Sequence, residues 1–394
     1  MKIYPDTKFF DVTAKFGAIV GLYPWQFMFP DNNTCRQIYR WYSYIVLLSF
    51  IVLLLPMYVE LIILLRNEET SKDELGSNLS ITIVFSSAGL RALFLRRGSN
   101  LINLIQNVMD EEKKQLFVDC KKVQLLEDKC LKVVRKLSYI YAVIVVVAAS
   151  QKSVTALLQT PTSSTGTPSR DLIISAWFPF DKQEYYWQAY CIQIYHTIIG
   201  ASYLSYMDIF MFNLLSYPIG QFKKLQFIIK NMEVQHYSYN DSENKSIDDG
   251  VRSIIERHQY IIQYVDFYNK SMGTFALFDF LQSSLQIATV LLQFSPTVGT
   301  IIFMLIFFAL MLLRLFLYYY TANEVSVQSE KVKMAVWESK WYEQPPKIKY
   351  ALLRIMTRAA KPSKYIIGAF GGMSTYSIIQ ILKATYTYIT IMFR

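Results

Sequence analysis

Apolar residues along this chain gather into blocks as long as a membrane-spanning helix requires, roughly 20 residues at about 1.5 Å each across about 30 Å of hydrocarbon. Spans five and six are separated only by Ser295-Pro296-Thr297, which indicates a tight helical hairpin. The pattern predicts an all-α polytopic membrane protein with seven spans: Tyr44–Leu65, Leu79–Leu95, Leu137–Leu158, Tyr190–Tyr217, Thr274–Phe294, Val298–Tyr320 and Met373–Phe393.

Composition supports a lipid environment. The 394 residues are 53% hydrophobic and 18% charged, whereas soluble proteins average about 25% charged residues. The first 40 residues contain no short apolar core followed by small residues, so no cleavable signal peptide is predicted and the first span is expected to direct insertion.

The distribution of positive charge predicts the orientation. Of the 40 lysines and arginines, 31 lie in residues 1–40 and in the connections between spans two and three, four and five, and six and seven. Basic connections stay on the cytoplasmic side, so the N-terminus is expected in the cytoplasm and the C-terminus outside. This topology explains the net charge of +10. Anionic membrane lipid, rather than nucleic acid, is the expected partner of the basic segments.

Glycosylation and disulfide formation are both expected to be limited by that topology. Asn78 is the sequon expected to face outward, at the membrane edge. Three of the four cysteines are expected on the cytoplasmic side and the fourth near the outer side, so no intrachain disulfide is expected. The other sequons should stay unglycosylated in or next to the cytoplasm: Asn32, Asn240, Asn244 and Asn269.

The cytoplasmic connections carry helical apolar patterns of their own. Between them, Tyr239–Asp249 is polar and is predicted to be a mobile loop. Pro345-Pro346 marks the start of an amphipathic helix over Lys347–Ala360, which could lie on the membrane but is expected to pack on extensions of spans four to six or on a neighbouring subunit. Extensions of spans four and five are predicted from the spacing of Phe222, Leu225, Ile228, Ile229 and Met232 and of Val251, Ile254, Ile255, Ile261, Ile262 and Val265.

Motifs of catalysis, of metal binding and of cofactor binding are absent from the sequence, which argues against an enzyme. His196 in span four is expected to be a hydrogen-bonded interhelical histidine rather than a pocket group. Structural pairing is favoured over proton relay for the ionisable residues within or at the ends of spans: Glu60, Arg91, Asp208, Asp279, Arg314 and Lys383.

Two ends of the chain carry motifs of a known family. Gly21-Leu22-Tyr23-Pro24 resembles the Gly-Leu-Trp-Pro element at the start of insect odorant receptors. The last 70 residues resemble the C-terminal signature of that family in order, spacing and residue type: Ala335-Val336-Trp337-Glu338-Ser339-Lys340-Trp341-Tyr342, Leu352-Leu353-Arg354-Ile355-Met356, Lys361-Pro362, Gly368-Ala369-Phe370 and Ile381-Leu382-Lys383-Ala384-Thr385-Tyr386-Thr387-Tyr388.

The resemblance implies an odorant-tuned subunit of a tetrameric, ligand-gated, non-selective cation channel that assembles with a common co-receptor in the plasma membrane of a sensory dendrite. The short connection between spans four and five points to the tuned subunit rather than the co-receptor. The implied organisation is a cytoplasmic segment (1–40), a ligand-binding bundle (41–220), a cytoplasmic helical connection (221–272), spans five and six (273–321), an anchor region (322–364) and a pore-lining span (365–394).

Two sets of site residues follow from the resemblance. The final span would line the pore at Thr385, with a hydrophobic constriction near Ile389 and the turn Met392-Phe393. The pocket would hold a neutral, volatile, hydrophobic ligand, because its expected walls contain few polar groups and no acid or base. Those walls are Ile81, Val84, Phe85, Ile144, Val147, Gln151, Tyr190, Ile194 and Ile301.

Two alternatives stay open. A related taste-type receptor would act alone as a homotetramer, although the Gln of the taste-receptor pattern in the last span is replaced here by Met392. A G-protein-coupled receptor or a transporter would have a different orientation or repeat pattern.

Overall fold

The structure is a computed structural model that describes residues 3–4, 7–67, 72–115, 121–158, 172–231, 243–291 and 298–392. Within these ranges the chain is helical, apart from loops and one isolated antiparallel bridge between Ile366 and Gly372. The α-helices are α1 (Asp11–Val20), α2 (Asn33–Val52), α3 (Leu55–Arg66), α4 (Lys72–Arg97), α5 (Ser99–Gln115), α6 (Lys121–Leu158), α7 (Tyr186–Lys230), α8 (Glu243–Leu291), α9 (Val298–Glu338), α10 (Pro346–Ala359) and α11 (Thr375–Met392).

Five helical segments of the described chain are long and apolar enough to cross a membrane: Asn33–Arg66, Glu74–Arg96, Lys121–Leu158, Tyr186–Lys230 and Ile301–Trp337. They correspond to predicted spans one, two, three, four and six. The fifth and seventh predicted spans fall in α8 and α11, whose polar residues include Asp279 and Lys383. The prediction of an all-helical membrane protein is confirmed, and the orientation of the termini stays a prediction.

The first span is a broken helix. Asn32 caps α2 by accepting hydrogen bonds from the backbone N–H groups of Thr34 and Cys35, as N-cap side chains commonly do. α2 ends at Val52, and α3 begins at Leu55 with Pro56 in its first turn, where a proline sacrifices no helical hydrogen bond. The span therefore begins earlier than its apolar block, and its helix is interrupted at Leu53 and Leu54 inside that block.

The N-terminal segment is folded against the bundle rather than extended from it. α1 packs on α7, where the Asn213 side chain donates to Thr13 Oγ1 at 2.7 Å. Gly17 faces the ring of Tyr206, and a Cβ atom at this position would lie 2.4 Å from Tyr206 Cε2. Gly21 ends α1 in the left-handed conformation at φ +76°, which glycine adopts without strain. The Gly21-Leu22-Tyr23-Pro24 motif is thus a helix stop with two buried side chains.

The predicted helical extensions are confirmed, since α7 and α8 run without interruption over 45 and 49 residues. Met232 and residues 239–242 lie outside the described residues. Helix α8 begins at Glu243, so the loop predicted over Tyr239–Asp249 is wrong from that residue onward. Of the predicted apolar positions that the structure describes, all are buried except half-buried Ile255.

Helix α10 packs on α9 and α8, which confirms the packing prediction over the membrane-surface alternative. Its buried positions are Ile348, Leu352, Ile355 and Ala359, one face of the helix. A tight turn follows, in which Met373 N–H donates to Tyr365 O at 2.7 Å. The Asn269 side chain holds this turn by donating to Lys364 O and accepting from Ile366 N–H. This sequon asparagine therefore has a structural role.

Candidate ligand cavity and pore helix

A cavity of about 100 Å³ lies among α4, α6, α7, α8 and α9. A cavity of about 150 Å³ binds benzene, so this somewhat smaller volume fits at most a small ligand unless the surrounding side chains move apart. Apolar and aromatic side chains form most of its wall. The lining residues are Ser80, Ile81, Val84, Phe85, Ser87, Arg91, Tyr141, Val145, Ala148, Ala149, Lys152, Ile173, Ile174, Thr197, Ala201, Leu204, Asp208, Gln282, Gln286, Val290, Phe303, Met304, Phe307, Leu310, Met311 and Arg314.

Four buried charged residues form the floor of the cavity, and we call them the charge layer: Arg91, Asp208, Asp279 and Arg314. Asp208 Oδ1 lies 2.8 Å from Arg91 Nη1 and 2.9 Å from Arg314 Nε. Both arginines also contact Asp279. The two positive charges balance the two negative ones, which confirms the predicted structural pairing.

Neighbouring side chains make further hydrogen bonds to the charge layer, although Arg91 Nε has no partner among the described residues. Tyr141 from α6 and Tyr318 from α9 both donate to Asp208, while Gln282 and Ser283 from α8 accept from the arginines. Buried ion pairs need such additional bonds, because desolvation of the charges otherwise outweighs their attraction. Five helices therefore meet at one polar level in the middle of the bundle.

The charge layer divides the bundle into two halves. We call the part that contains the cavity the cavity half, comprising residues 186–207 of α7, 280–291 of α8 and 298–313 of α9. We call the opposite part the anchor half, comprising residues 209–230, 243–278 and 315–338 of the same helices together with α10. The same three helices thus contribute to both halves.

The connection after α6 closes the cavity at the end away from the charge layer. Ile173 and Ile174 line the cavity. The Gln193 side chain accepts from Ile174 N–H at 3.0 Å and donates to Ile174 O at 2.7 Å, which fixes this backbone on α7. Asn78 is fully buried and donates to Ser175 O at 2.7 Å. The sequon predicted to face outward therefore holds the roof, and its amide nitrogen is engaged within the protein.

A family model described as "7tm Odorant receptor" matches residues 71–386 of this chain. The matched segment includes every helix that lines the cavity and covers well over half of the sequence. The chain belongs to the insect odorant receptor family. Family membership confirms the resemblance carried by the motifs at the two ends, and it makes the chain a membrane receptor.

Curated odorant receptors share part of this receptor's sequence. Odorant receptor 10 of Aedes albopictus is 26% identical over 208 residues, which are 52% of this chain and 54% of that protein. Odorant receptor 67c of Drosophila melanogaster is 23% identical over 220 residues, 55% of this chain and 53% of that protein. The chain thus spans about half the length of the curated relatives it matches.

A solved structure shares the whole fold. The olfactory receptor OR5 of Machilis hrabei, solved in complex with eugenol, superposes with a TM-score of 0.75 over 96% of this chain and 97% of that chain. Sequence identity is 17%. The similarity therefore supports the odorant receptor fold of this chain.

Of the predicted pocket residues, the structure places Ile81, Val84 and Phe85 of α4 in the cavity wall. Gly200 on α7 lets the Phe85 ring approach, since a Cβ atom there would lie 2.8 Å from Phe85 Cζ. Contact of these three residues with a ligand stays a prediction.

The predicted residues on α6 were placed one residue out of phase. Ile144, Val147 and Gln151 are absent from the described lining, and the next residues, Val145, Ala148 and Lys152, line the cavity instead. One residue rotates a side chain by about 100° around a helix, so Val147 points outward and is 49% exposed. Apolar composition alone did not determine this rotation, because both faces of α6 carry β-branched residues.

The other three predicted pocket residues lie elsewhere. Ile194 packs on the core and Tyr190 donates to Ser153 O, both nearer the start of α7 than the lining residues Thr197 and Ala201. Ile301 of α9 is 45% exposed. These three residues therefore lie outside the lining of this cavity, and their contact with a ligand stays a prediction.

His196 does not have the hydrogen bond that was predicted for its imidazole. Its ring lies against Phe50 and Phe85, with centroid distances of 5.1 and 4.9 Å. Nε2 has no hydrogen-bond partner among the described residues. His196 immediately precedes the lining residue Thr197, so its side chain points to a different side of α7. That side faces aromatic residues of α2 and α4 and offers no hydrogen-bond partner to Nε2 among the described residues.

Lys152 was missed among the intramembrane charges, and this cavity, unlike the predicted pocket, has a basic residue in its wall. Its side chain lines the cavity, with Nζ 4.7 Å from the centroid of the Phe303 ring. The sequence feature that could have revealed this residue is its position as a lysine inside the apolar block Leu137–Leu158. Arg91, Asp208 and Arg314 add further charge to the lining, although they are paired with one another or with Asp279.

Helix α11, the predicted pore helix, packs on α8 and α9. Thr385 is buried and donates to Ser284 O of α8 at 3.1 Å. Ile389 is half-buried in the single chain, and Met392 is the last residue of the helix. The predicted gate residue Phe393 lies outside the described residues. The side of α11 that faces away from the bundle includes Tyr386, Thr387 and Thr390.

Proposed function

We propose that this chain is the odorant-binding subunit of a heteromeric, ligand-gated, non-selective cation channel that detects small hydrophobic volatiles. The observation that carries the proposal is a mainly apolar cavity in a member of the odorant receptor family, lined in part by α8, the helix that also contacts the predicted pore helix α11. The Machilis hrabei receptor, which has the same fold, was solved in complex with eugenol, a small aromatic molecule.

One turn of α8 connects the cavity to α11. Gln282 and Gln286 line the cavity. Ser284, between them, offers its backbone carbonyl to the Thr385 hydroxyl on α11. A ligand that shifts the cavity side of this turn would move the carbonyl that holds α11, because the turn is rigid and continuous. This supports a mechanism in which binding in the cavity changes the position of the final helix.

The final helix would line the pore in the assembled channel. In the single chain its outward side carries Tyr386, Thr387 and Thr390, a polar content that suits a water-filled path better than lipid. A ring of Ile389 side chains, with Met392 and Phe393 beyond it, would block ions by excluding water until the helix moves. Lys383 would lie away from the narrowest point.

The partner in this assembly would be the common co-receptor of the family, in the plasma membrane of a sensory neuron. Cells that express this chain with a co-receptor should show cation currents when exposed to ketones, esters, alcohols and hydrocarbons of up to roughly ten non-hydrogen atoms. Cells that express either subunit alone give the baseline. No current from the pair with any of these compounds would contradict the proposal.

Substitution at two adjacent positions of α6 tests whether the cavity is the ligand site. Ala148→Phe should reduce the response at least about tenfold, because the new ring fills the cavity and displaces the ligand. Val147→Phe places the same ring on the outward face and should leave the response within about twofold. Equal effects of the two substitutions on ligand-evoked current would exclude this cavity as the ligand site.

The second candidate function is a taste-type channel that conducts as a homotetramer. Currents from this chain alone, at the size seen with the co-receptor, would favour it. A C-terminal epitope tag tests the topology that both functions need, and it should be accessible to antibody on intact cells.

A further inference from the structure

Most polar groups that line the cavity already have protein partners. Ser80 and Ser87 donate to carbonyls of their own helix, at 3.0 and 2.7 Å. Gln282 donates to Gln286 and accepts from Arg91. Asp208 is held within the charge layer. These groups form the wall of the cavity without requiring a ligand to complete their hydrogen bonds.

Lys152 and Thr197 differ from this set. Thr197 is 9% exposed, and its hydroxyl has no hydrogen-bond partner among the described residues. Lys152 is half-buried and has no hydrogen bond or ion pair within the described chain. Its contact with the Phe303 ring satisfies the charge on one side only, because an ammonium group carries three N–H donors.

A buried donor without an acceptor, such as the Thr197 hydroxyl, is costly, and the half-buried ammonium group of Lys152 incurs such a cost once a ligand excludes water from the cavity. A ligand that supplies an oxygen acceptor removes this cost, whereas a hydrocarbon of the same shape makes it worse by excluding water. The preference for one ligand over the other then arises from Lys152 rather than from the apolar wall, which contacts both in the same way.

We propose that the ligand of this receptor carries a carbonyl or carboxylate oxygen, and that Lys152 selects for it by donating a hydrogen bond to that oxygen. The inference rests on the proposed function, because it assumes that the cavity is the ligand site. It differs from the expectation of a neutral, hydrophobic ligand in requiring an oxygen acceptor. Thr197, on the facing helix α7, supplies a second and weaker polar contact in the same cavity.

Three compounds of nearly equal shape test the proposal: cumene, acetophenone and benzoate have the same number of non-hydrogen atoms and differ in the group beside the ring. Their affinities for the purified full chain in lipid nanodiscs are measured by titration calorimetry. We expect acetophenone or benzoate to bind at least about tenfold more tightly than cumene, the size of effect of a hydrogen bond to a charged group. The two oxygenated compounds distinguish a neutral ligand from an anionic one.

Substitutions test whether Lys152 causes the preference for oxygenated compounds over cumene. In Lys152→Met, acetophenone or benzoate should bind no more than about twofold more tightly than cumene. Lys152→Arg should retain the wild-type ratio of affinities, because arginine keeps the donor and the charge. Lys132→Met is the matched control, since Lys132 is exposed at the other end of the same helix. Thr197→Val should lower the ratio by only about threefold.

Several results would overturn the proposal. These are cumene binding as tightly as the oxygenated compounds, no measurable binding of any of the three, or an unchanged ratio in Lys152→Met. If Lys152→Met fails to fold, the wild-type ratio and Lys152→Arg still decide. Because calorimetry requires no current, selective binding without channel activity would contradict only the proposed function, and current without selectivity would contradict only this inference.

Discussion

The cavity half and the anchor half are built from the same three helices, yet they are packed differently. In the anchor half, tyrosines fill the space between helices: the ring centroids of Tyr217 and Tyr264 are 5.0 Å apart, and Tyr268 lies 4.7 Å from Tyr365 in the turn that follows α10. Tyr264 also donates to Leu214 O. The cavity half retains an open volume, a Thr197 hydroxyl without a partner among the described residues, and a half-buried Lys152 that lies over the Phe303 ring.

This difference shows how one bundle can combine a stable scaffold with a binding site. The charge layer lies between the halves and ties α4, α7, α8 and α9 together. Packing on the anchor side provides the stability, while the cavity side tolerates empty space at a cost in packing energy. Substitutions that affect only one half should therefore separate stability from ligand response.

The largest loss of stability should follow from breaking the charge layer. Arg314→Met leaves two buried aspartates with one arginine and should lower the free energy of unfolding by about 3–5 kcal/mol, because a buried charge loses its partner. Thermal unfolding of the purified chain in detergent measures the change. Arg252→Met removes an exposed pair with Glu256 and should cost less than about 1 kcal/mol. Similar losses in both variants would show that the layer does not hold the halves together.

Truncation in the anchor half should have the next largest effect. Leu352→Ala removes a fully buried side chain of α10 and should lower the free energy of unfolding by about 2–5 kcal/mol through the cavity it leaves. The adjacent Leu353 is 40% exposed, so Leu353→Ala should change stability by less than about 1 kcal/mol. Thermal unfolding compares the two variants. The proposed contrast between the halves fails if Leu352→Ala is as mild as Leu353→Ala.

Acid should destabilise the anchor half through His258 of α8. Burial lowers the pKa of His258 to about 4 from about 6.5, with a smaller contribution from Arg358. The unfolded chain therefore takes up the proton first, and stability is lost as the pH falls from about 6.5 toward about 4. Between pH 8 and pH 5 we expect a loss of about 2 kcal/mol.

The control for this pH dependence is His258→Leu, which removes the titrating group. Thermal unfolding measured at pH 8 and pH 5 should give a smaller difference in the variant than in the wild-type chain. An equal difference in both chains would assign the acid sensitivity to other residues.

The smallest effect should come from the contact between α8 and the pore helix. Thr385→Val removes one hydrogen bond to Ser284 O, worth about 1 kcal/mol, and should shift the ligand concentration for half-maximal current by about fivefold. Thr357→Val is the control, because its exposed hydroxyl donates to Leu353 O within α10, away from the pore helix. Dose–response curves with the co-receptor measure both. Equal shifts would indicate that the α8 contact does not contribute to gating.

The sequence predicted the helical architecture well, because the length and period of apolar blocks depend on local physics. The extensions of α7 and α8, the start of α10 after Pro345 and the pairing of Arg91, Asp208, Asp279 and Arg314 were all correct. The pocket was predicted less well. Val147 and Gln151 were chosen where Ala148 and Lys152 line the cavity, since a uniformly apolar helix does not reveal its rotation.

The amino-acid sequence by itself determined the class of the protein, the helical segments, the distribution of positive charge along the chain and the family. Hydropathy and motifs require no knowledge of which helices touch. Only the tertiary structure decided that Lys152 and Thr197 face one cavity, that Asn78 and Gln193 hold its roof, and that a turn of α8 contacts both the cavity and α11. These features depend on the rotation and depth of packed helices, which long-range contacts select.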